Sequence, residues 1–153
     1  MKTINSYLSF DHRNCDESLA KLEGAVSEKR WDEARNLSDK FCKEMHRHFN
    51  LEENILFPAF EEKTGMLQGP TMVMRMEHLQ MKGMMSKLPE AITNKNEDRV
   101  LGITETLMIF IQQHNNKEEQ MLYNMCDMHL ANQVESLIAQ MNNFSTFTIK
   151  FFT

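Results

Sequence analysis

The chain has 153 residues, 41% of them apolar and 25% charged, with a formal net charge of −5. This is the size of one domain with a substantial core, and the acidic balance argues against the basic footprint that holds nucleic acid or phosphate. No stretch approaches the roughly 20 apolar residues of a membrane span, and the opening MKTINSYLSFDHRNCD has no apolar leader, so a soluble cytoplasmic protein is expected.

Only 5 glycines and 3 prolines interrupt the sequence, which favours long helices over many short strands. The first helix is expected to begin between Asn5 and Ser9 and to reach about Lys29. It buries Leu8, His12, Cys15, Leu19, Leu22 and Val26 at three- and four-residue steps. A second, longer helix is expected over about Asp32 to Lys63, with Leu37, Phe41, Met45, His48, Glu52, Ile55 and Ala59 inward. Pro58 cannot donate the usual backbone hydrogen bond and should bend its last turn, and Gly65 is a suitable stop. Gly65 to Gly69, followed by Pro70-Thr71, reads as the hinge between two halves.

The third helix, about Pro70 to Leu88, carries Met74, His78, Met81, Met85 and Leu88 on its inner stripe, with Pro89 at its exit. A fourth follows Thr93-Asn94-Lys95-Asn96 and runs from about Glu97 to Met128, with Leu107, Ile111, His114, Glu118, Met121 and Met125 inward. Residues 131–143 predict a short fifth helix. The Phe-rich tail 144–153 either docks against the rest or pairs with a second subunit in a homo-oligomer. Short connections between long helices predict an all-α, antiparallel up-down-up-down four-helix bundle over residues 1–143.

The chain carries an internal duplication. His12 and His78, His48 and His114, and Glu52 and Glu118 are each 66 positions apart. Residues 11–57 overlay residues 77–123 without a gap, pairing Asp11 with Glu77, Leu22 with Leu88, Phe41 with Leu107 and Phe57 with Tyr123. Two copies of a helical hairpin suit a closed, pseudo-twofold domain, since an open stack would need three or more repeats.

Six ionisable residues, His12, His48, Glu52, His78, His114 and Glu118, therefore lie on otherwise apolar stripes. Burying them unpaired is costly, and a shared metal site resolves the conflict. Each His-x₃-Glu pair lies on one helix face about one turn apart. Imidazole with carboxylate suits iron or manganese well and zinc less distinctively, whereas an iron–sulfur cluster needs thiolates. Cys15, Cys42 and Cys126 form no CxxC pair and read as reduced core or boundary residues. The methionine-rich third helix reads as flexible core filling rather than a copper site. His46 and His129 fall off the constellation and are expected to be exposed. Glu53 and Glu119 are either acceptors for the ligand imidazoles or exposed helix charges. No acid, base or nucleophile constellation outside these residues points to an organic substrate.

The order Phe-Asp-His, then His-Phe-x₂-Glu-Glu-x₂-Leu-Phe-Pro, then Glu-His-Leu, then His-x₂-Lys-Glu-Glu-x₂-Leu-Tyr resembles the hemerythrin-like, or HHE cation-binding, family over about residues 10–128. The resemblance implies an antiparallel bundle holding two non-haem iron ions, oxo- or hydroxo-bridged when oxidised. Glu52 and Glu118 would bridge, with His12 and His48 on one iron and His78 and His114 on the other. Its implied partner is a small diatomic or peroxide ligand such as oxygen or nitric oxide. The oxygen carriers of the family have a further His one turn before the position of His78, where this chain has Met74, with Leu8 as its repeat counterpart. The resulting symmetric four-histidine set resembles more closely the repair-of-iron-centres proteins. Sensing or storage, and iron donation under oxidative or nitrosative stress, both follow as expectations. A structural interaction module without metal is the remaining alternative.

Overall fold

A computed structural model describes residues 2–144, and those residues are helical with short connections and no strand. Helix α1 covers Ile4–Ser27, and α2 covers Trp31–Leu51. A π-helical turn over Glu52–Leu56 joins α2 to α3, Phe57–Thr64. After a loop, α4 (Pro70–Met85) and α5 (Leu88–Thr93) follow. Then comes α6 (Glu97–Lys117), a second π turn over Glu118–Leu122, and α7 (Tyr123–His129). A 3₁₀ turn at Ala131–Gln133 leads into α8, Val134–Asn142. Among these helices none is long and apolar enough to cross a membrane. The expected Phe-rich tail lies outside the described residues beyond Phe144, which is half-buried against the core.

Local chemistry explains the boundaries. Thr3 caps α1 through a capping box: its hydroxyl accepts from the Ser6 N–H at 2.9 Å, and the Ser6 hydroxyl accepts from the Thr3 N–H at 2.9 Å. The Asp127 carboxylate accepts from the N–H groups of Ile4 at 2.7 Å and Asn5 at 3.1 Å, placing an anion at the helix N-terminus and tying α1 to α7. Gly65 ends α3 at φ 74°, a left-handed conformation that costs glycine little. Two lysines take the same conformation, Lys29 at φ 59° and Lys95 at φ 51°. In both cases the next N–H reaches back to close the helix end, Arg30 to Ala25 and Asn96 to Ala91. These corners are 66 positions apart, so the duplication extends to backbone detail.

The third predicted helix departs from expectation. It stops at Met85, and the chain resumes helically as α5 with Pro89 in its first turn. Proline supplies no N–H, which is tolerated where a helix begins.

Two apolar clusters fill the interior. One gathers Leu19, Leu22, Phe41, Met81 and Leu107, and the other Ile4, Leu8, Phe57, Phe60, Leu122 and Met141. On each helix the two clusters meet on either side of a ligand candidate. Leu8 and Cys15 flank His12, Met74 and Met81 flank His78, and Ile111 and Leu122 flank His114 and Glu118. The polar centre is thus a layer held between two apolar ones.

The π turns account for the inward positions that a constant 3.6-residue period misplaces. In each, an N–H reaches back five residues, from Phe57 to Glu52 and from Tyr123 to Glu118. The extra residue rotates the next turn of helix, so Met121 is 58% exposed rather than inward and Leu122 and Tyr123 are buried. Likewise Ile55 is only half-buried while Leu56 and Phe57 are buried. Pro58 lies just past the first π turn, but Asn124 occupies the matching position after the second. The distortion therefore does not require the proline, and a buried glutamate opens both turns. Leu37, Ala59 and Met125 are half-buried at the margin of the core.

Candidate metal centre

Helices α1, α2, α4 and α6 with the two π turns bring all six predicted ligand residues into one buried layer. Each is at most 3% exposed. The Nε2 atoms of His12 and His48 lie 3.0 Å apart, and Glu118 Oε1 is 3.1 Å from His12 Nε2. Across the layer, Glu118 Oε1 is 3.3 Å from His114 Nε2. Glu52 Oε1 is 3.0 Å from His78 Nε2 and 3.5 Å from His48 Nε2. Both carboxylates therefore stand between a histidine of each repeat. Two groups have ligand atoms close enough to share an ion: Glu52, His78, His114 and Glu118 in one, and His12, His48 and Glu118 in the other.

Each imidazole turns Nε2 inward and gives Nδ1 to a carboxylate. His12 pairs with Glu119 at 2.7 Å, His48 with Asp11 at 2.6 Å, His78 with Glu53 at 2.7 Å and His114 with Glu77 at 2.8 Å. An Nδ1–H donated to a carboxylate fixes the tautomer that leaves the Nε2 lone pair for a metal. Glu53 and Glu119 thus act as imidazole acceptors, and so do Asp11 and Glu77, whose role the sequence reading missed. Their available signal was the acidic residue directly before His12 and His78, repeated at the duplication offset.

Burial alone would lower the histidine pKa values, yet the surrounding carboxylates raise all four, His114 to about 9. Burial works against the Glu52 carboxylate, but His48 and its other partners hold it well below the usual range. In spite of burial, Asp11 and Glu53 are likewise lowered by their histidine partners and Glu77 by Lys117 and then His114, while Glu119 is lowered chiefly by His12. The rings and the carboxylates thus favour one another's charged forms, and a cation in the layer would compete with protons for the Nε2 atoms.

The donor set fits a metal by a separate criterion. Glu52 Oε1, Glu118 Oε2, His78 Nε2 and His114 Nε2 are buried with no hydrogen-bond partner. The short His78–Glu52 approach is not aligned as a hydrogen bond, so the distance alone does not satisfy either atom. A buried polar atom left without a partner costs about 1–3 kcal/mol, and here such atoms converge. A bound cation satisfies them together.

Tyr123, the counterpart of Phe57 in the duplication, is fully buried in the centre. Its hydroxyl donates to Glu52 Oε2 at 2.7 Å. Burial and the carboxylates of Glu118 and Glu52 push its pKa well up. Met74 is buried in the second apolar cluster beside Leu8. His129 is exposed as expected, whereas His46 is half-buried, its ring edge-on to Phe49 at 6.5 Å.

No curated protein and no solved structure matches the chain. The hemerythrin HHE cation binding domain matches residues 3–126. Covering most of the chain and every residue of the buried His–Glu layer, that match makes the protein a member of the hemerythrin HHE cation-binding family.

Proposed function

We propose that the protein is a non-haem di-iron protein that binds or senses a small oxidant such as oxygen, nitric oxide or peroxide. The observation that carries this reading is the convergence of four unpartnered buried donor atoms from Glu52, His78, His114 and Glu118, beside a second group of His12 and His48 that shares Glu118. His12 and His48 would hold one iron and His78 and His114 the other, with Glu52 and Glu118 bridging. Nitrogen and carboxylate donors without thiolate suit iron in this role. Bound iron supplies the redox capacity toward the oxidant. The chain's own part is to fix donor directions through the four Nδ1–carboxylate pairs and to keep bulk water out.

Phe49 stacks on His78 with ring centroids 4.1 Å apart, and Phe57 stacks on the same ring at 6.0 Å. Such enclosure favours a diatomic or peroxide-sized ligand over an organic substrate. Burial of all six ligand residues favours a retained centre over one that donates its iron to a repair target. Short connections between the long helical runs support an antiparallel up-down-up-down arrangement, with residues 1–143 as its bundle.

Metal analysis of anaerobically purified protein, with optical spectra before and after oxygen, tests the reading. About two irons per chain are expected, as in other di-iron bundles, with oxo-bridged ferric bands on oxidation. One tightly held zinc, or no metal under these conditions, would overturn it.

A further inference from the structure

The duplication pairs two aromatic rings beside the buried layer that differ by one oxygen atom, Tyr123 and Phe57. The Tyr123 ring lies against His12 with centroids 5.6 Å apart and planes 26° apart, and the Phe57 ring lies against His78 at 6.0 Å and 14°. These pairs are related by the same 66-residue offset. Both aromatic residues open the helix that follows a π turn, and both are fully buried. Packing alone is therefore served by a phenyl ring, as Phe57 demonstrates. The Tyr123 hydroxyl carries a desolvation cost that its counterpart avoids.

That hydroxyl is placed among ligand atoms. It lies 2.7 Å from Glu52 Oε2, 3.0 Å from Glu118 Oε1, 3.1 Å from His12 Nε2 and 3.3 Å from His48 Nε2. The single O–H proton serves Glu52 or Glu118 but not both, so hydrogen bonding leaves one carboxylate oxygen against the phenol oxygen with no proton between them. Neighbouring donors in an octahedral shell with bonds of about 2.1 Å lie about 3 Å apart. The four spacings match those of a donor within the same shell. The unpartnered atoms include His78 Nε2 and His114 Nε2, while the Nε2 atoms of His12 and His48 have partners, Tyr123 among them.

We propose that Tyr123 is a seventh protein donor, binding through its phenol oxygen at the His12–His48 position and leaving the His78–His114 position as the one open to the small ligand. The metal takes the place of the phenol proton, which leaves to solvent, and no oxidant is required for that exchange. Tyrosine oxygen is an established donor to ferric iron. The inference rests on the di-iron reading and removes the symmetry expected from four histidines and two glutamates.

Resonance Raman and visible spectra of the oxidised, iron-loaded protein test it. A visible tyrosinate-to-iron charge-transfer band is expected, with ring vibrations that shift when the protein carries ring-deuterated tyrosine. Tyr123→Phe should abolish both signals while retaining about two irons per chain, whereas Tyr7→Phe, at the chain's other tyrosine, should leave them intact. Wild-type protein that holds two irons but lacks the signals overturns the tyrosine donor and leaves the di-iron reading standing. Failure to hold iron at all overturns both. The isotope shift is read on the wild-type protein, so the test survives if the Tyr123 variant does not fold.

Discussion

Each imidazole of the buried layer is oriented by a carboxylate from a different helical segment: Asp11 of α1 reaches His48 of α2, and Glu77 of α4 reaches His114 of α6. The charge on these carboxylates raises the basicity of the rings and steadies their direction. Asp11→Asn and Glu77→Gln, which keep size and hydrogen-bonding capacity, are each expected to weaken metal binding about 10–100-fold. Competition against a chelator of known affinity measures this, and unchanged affinity in both variants would reduce the carboxylates to a packing role. The six residues of the buried His–Glu layer were legible in the sequence because His and Glu on a buried stripe conflict with their surroundings. Asp11 and Glu77 were not assigned because their targets sit on neighbouring helices, a relation that spacing along one helix does not encode. Tyr123 was hidden for a different reason. On a straight helix it would lie five residues from Glu118 and so about 140° away from it.

At the scale of the element, the two π turns decide which side chains face the core. A constant helical period places Met121 inward, three residues after Glu118, whereas the inserted residue sends Met121 to solvent and buries Leu122. Stability should follow the inserted residue. In the metal-free protein, Leu122→Ala is expected to cost about 2–5 kcal/mol, and Met121→Gln about 0.5 kcal/mol or less. Denaturant unfolding of both variants checks the register, and the reverse order would restore the uninterrupted helix. Composition and glycine placement made the long helices readable, and the polar run Thr93-Asn94-Lys95-Asn96 marked the last corner between them. The π turns left no comparable mark, because an inserted residue does not change the residue types along the helix. The break between α4 and α5 had a visible cause in Pro89, but whether the chain exits or resumes there is set by packing of Leu88, Ala91 and Ile92 into the core.

For the whole molecule, the polar layer between two apolar clusters would couple a bound metal to folding. Its donors come from four helices and two π turns, so an ion that binds only the folded chain stabilises the entire assembly. In the metal-free protein the raised histidines contribute stability that is full below the ordinary value of 6.5 and is lost as pH rises through the folded value, about 9 for His114. The lowered Glu52 contributes above its ordinary value of 4.5 and loses that contribution as pH falls through its lower folded value. Rising pH removes protons that compete with the metal. Metal removal should therefore lower the melting temperature, and the difference should widen from about pH 6.5 to pH 9. Thermal melts with and without chelator at both pH values measure it, and coincident melts would remove the coupling.

The loop from Gly65 to Gly69 divides the donors evenly. His12, His48 and Glu52 precede it, and His78, His114 and Glu118 follow it. Glu118 stands beside His12 as well as His114, and Glu52 beside His78 as well as His48, so each position draws on both halves. The centre is therefore an interface between two half-length units that happen to share one chain. Two halves of one chain are not bound to be identical as two subunits of a homodimer are, and Tyr123 in one half stands opposite Phe57 in the other.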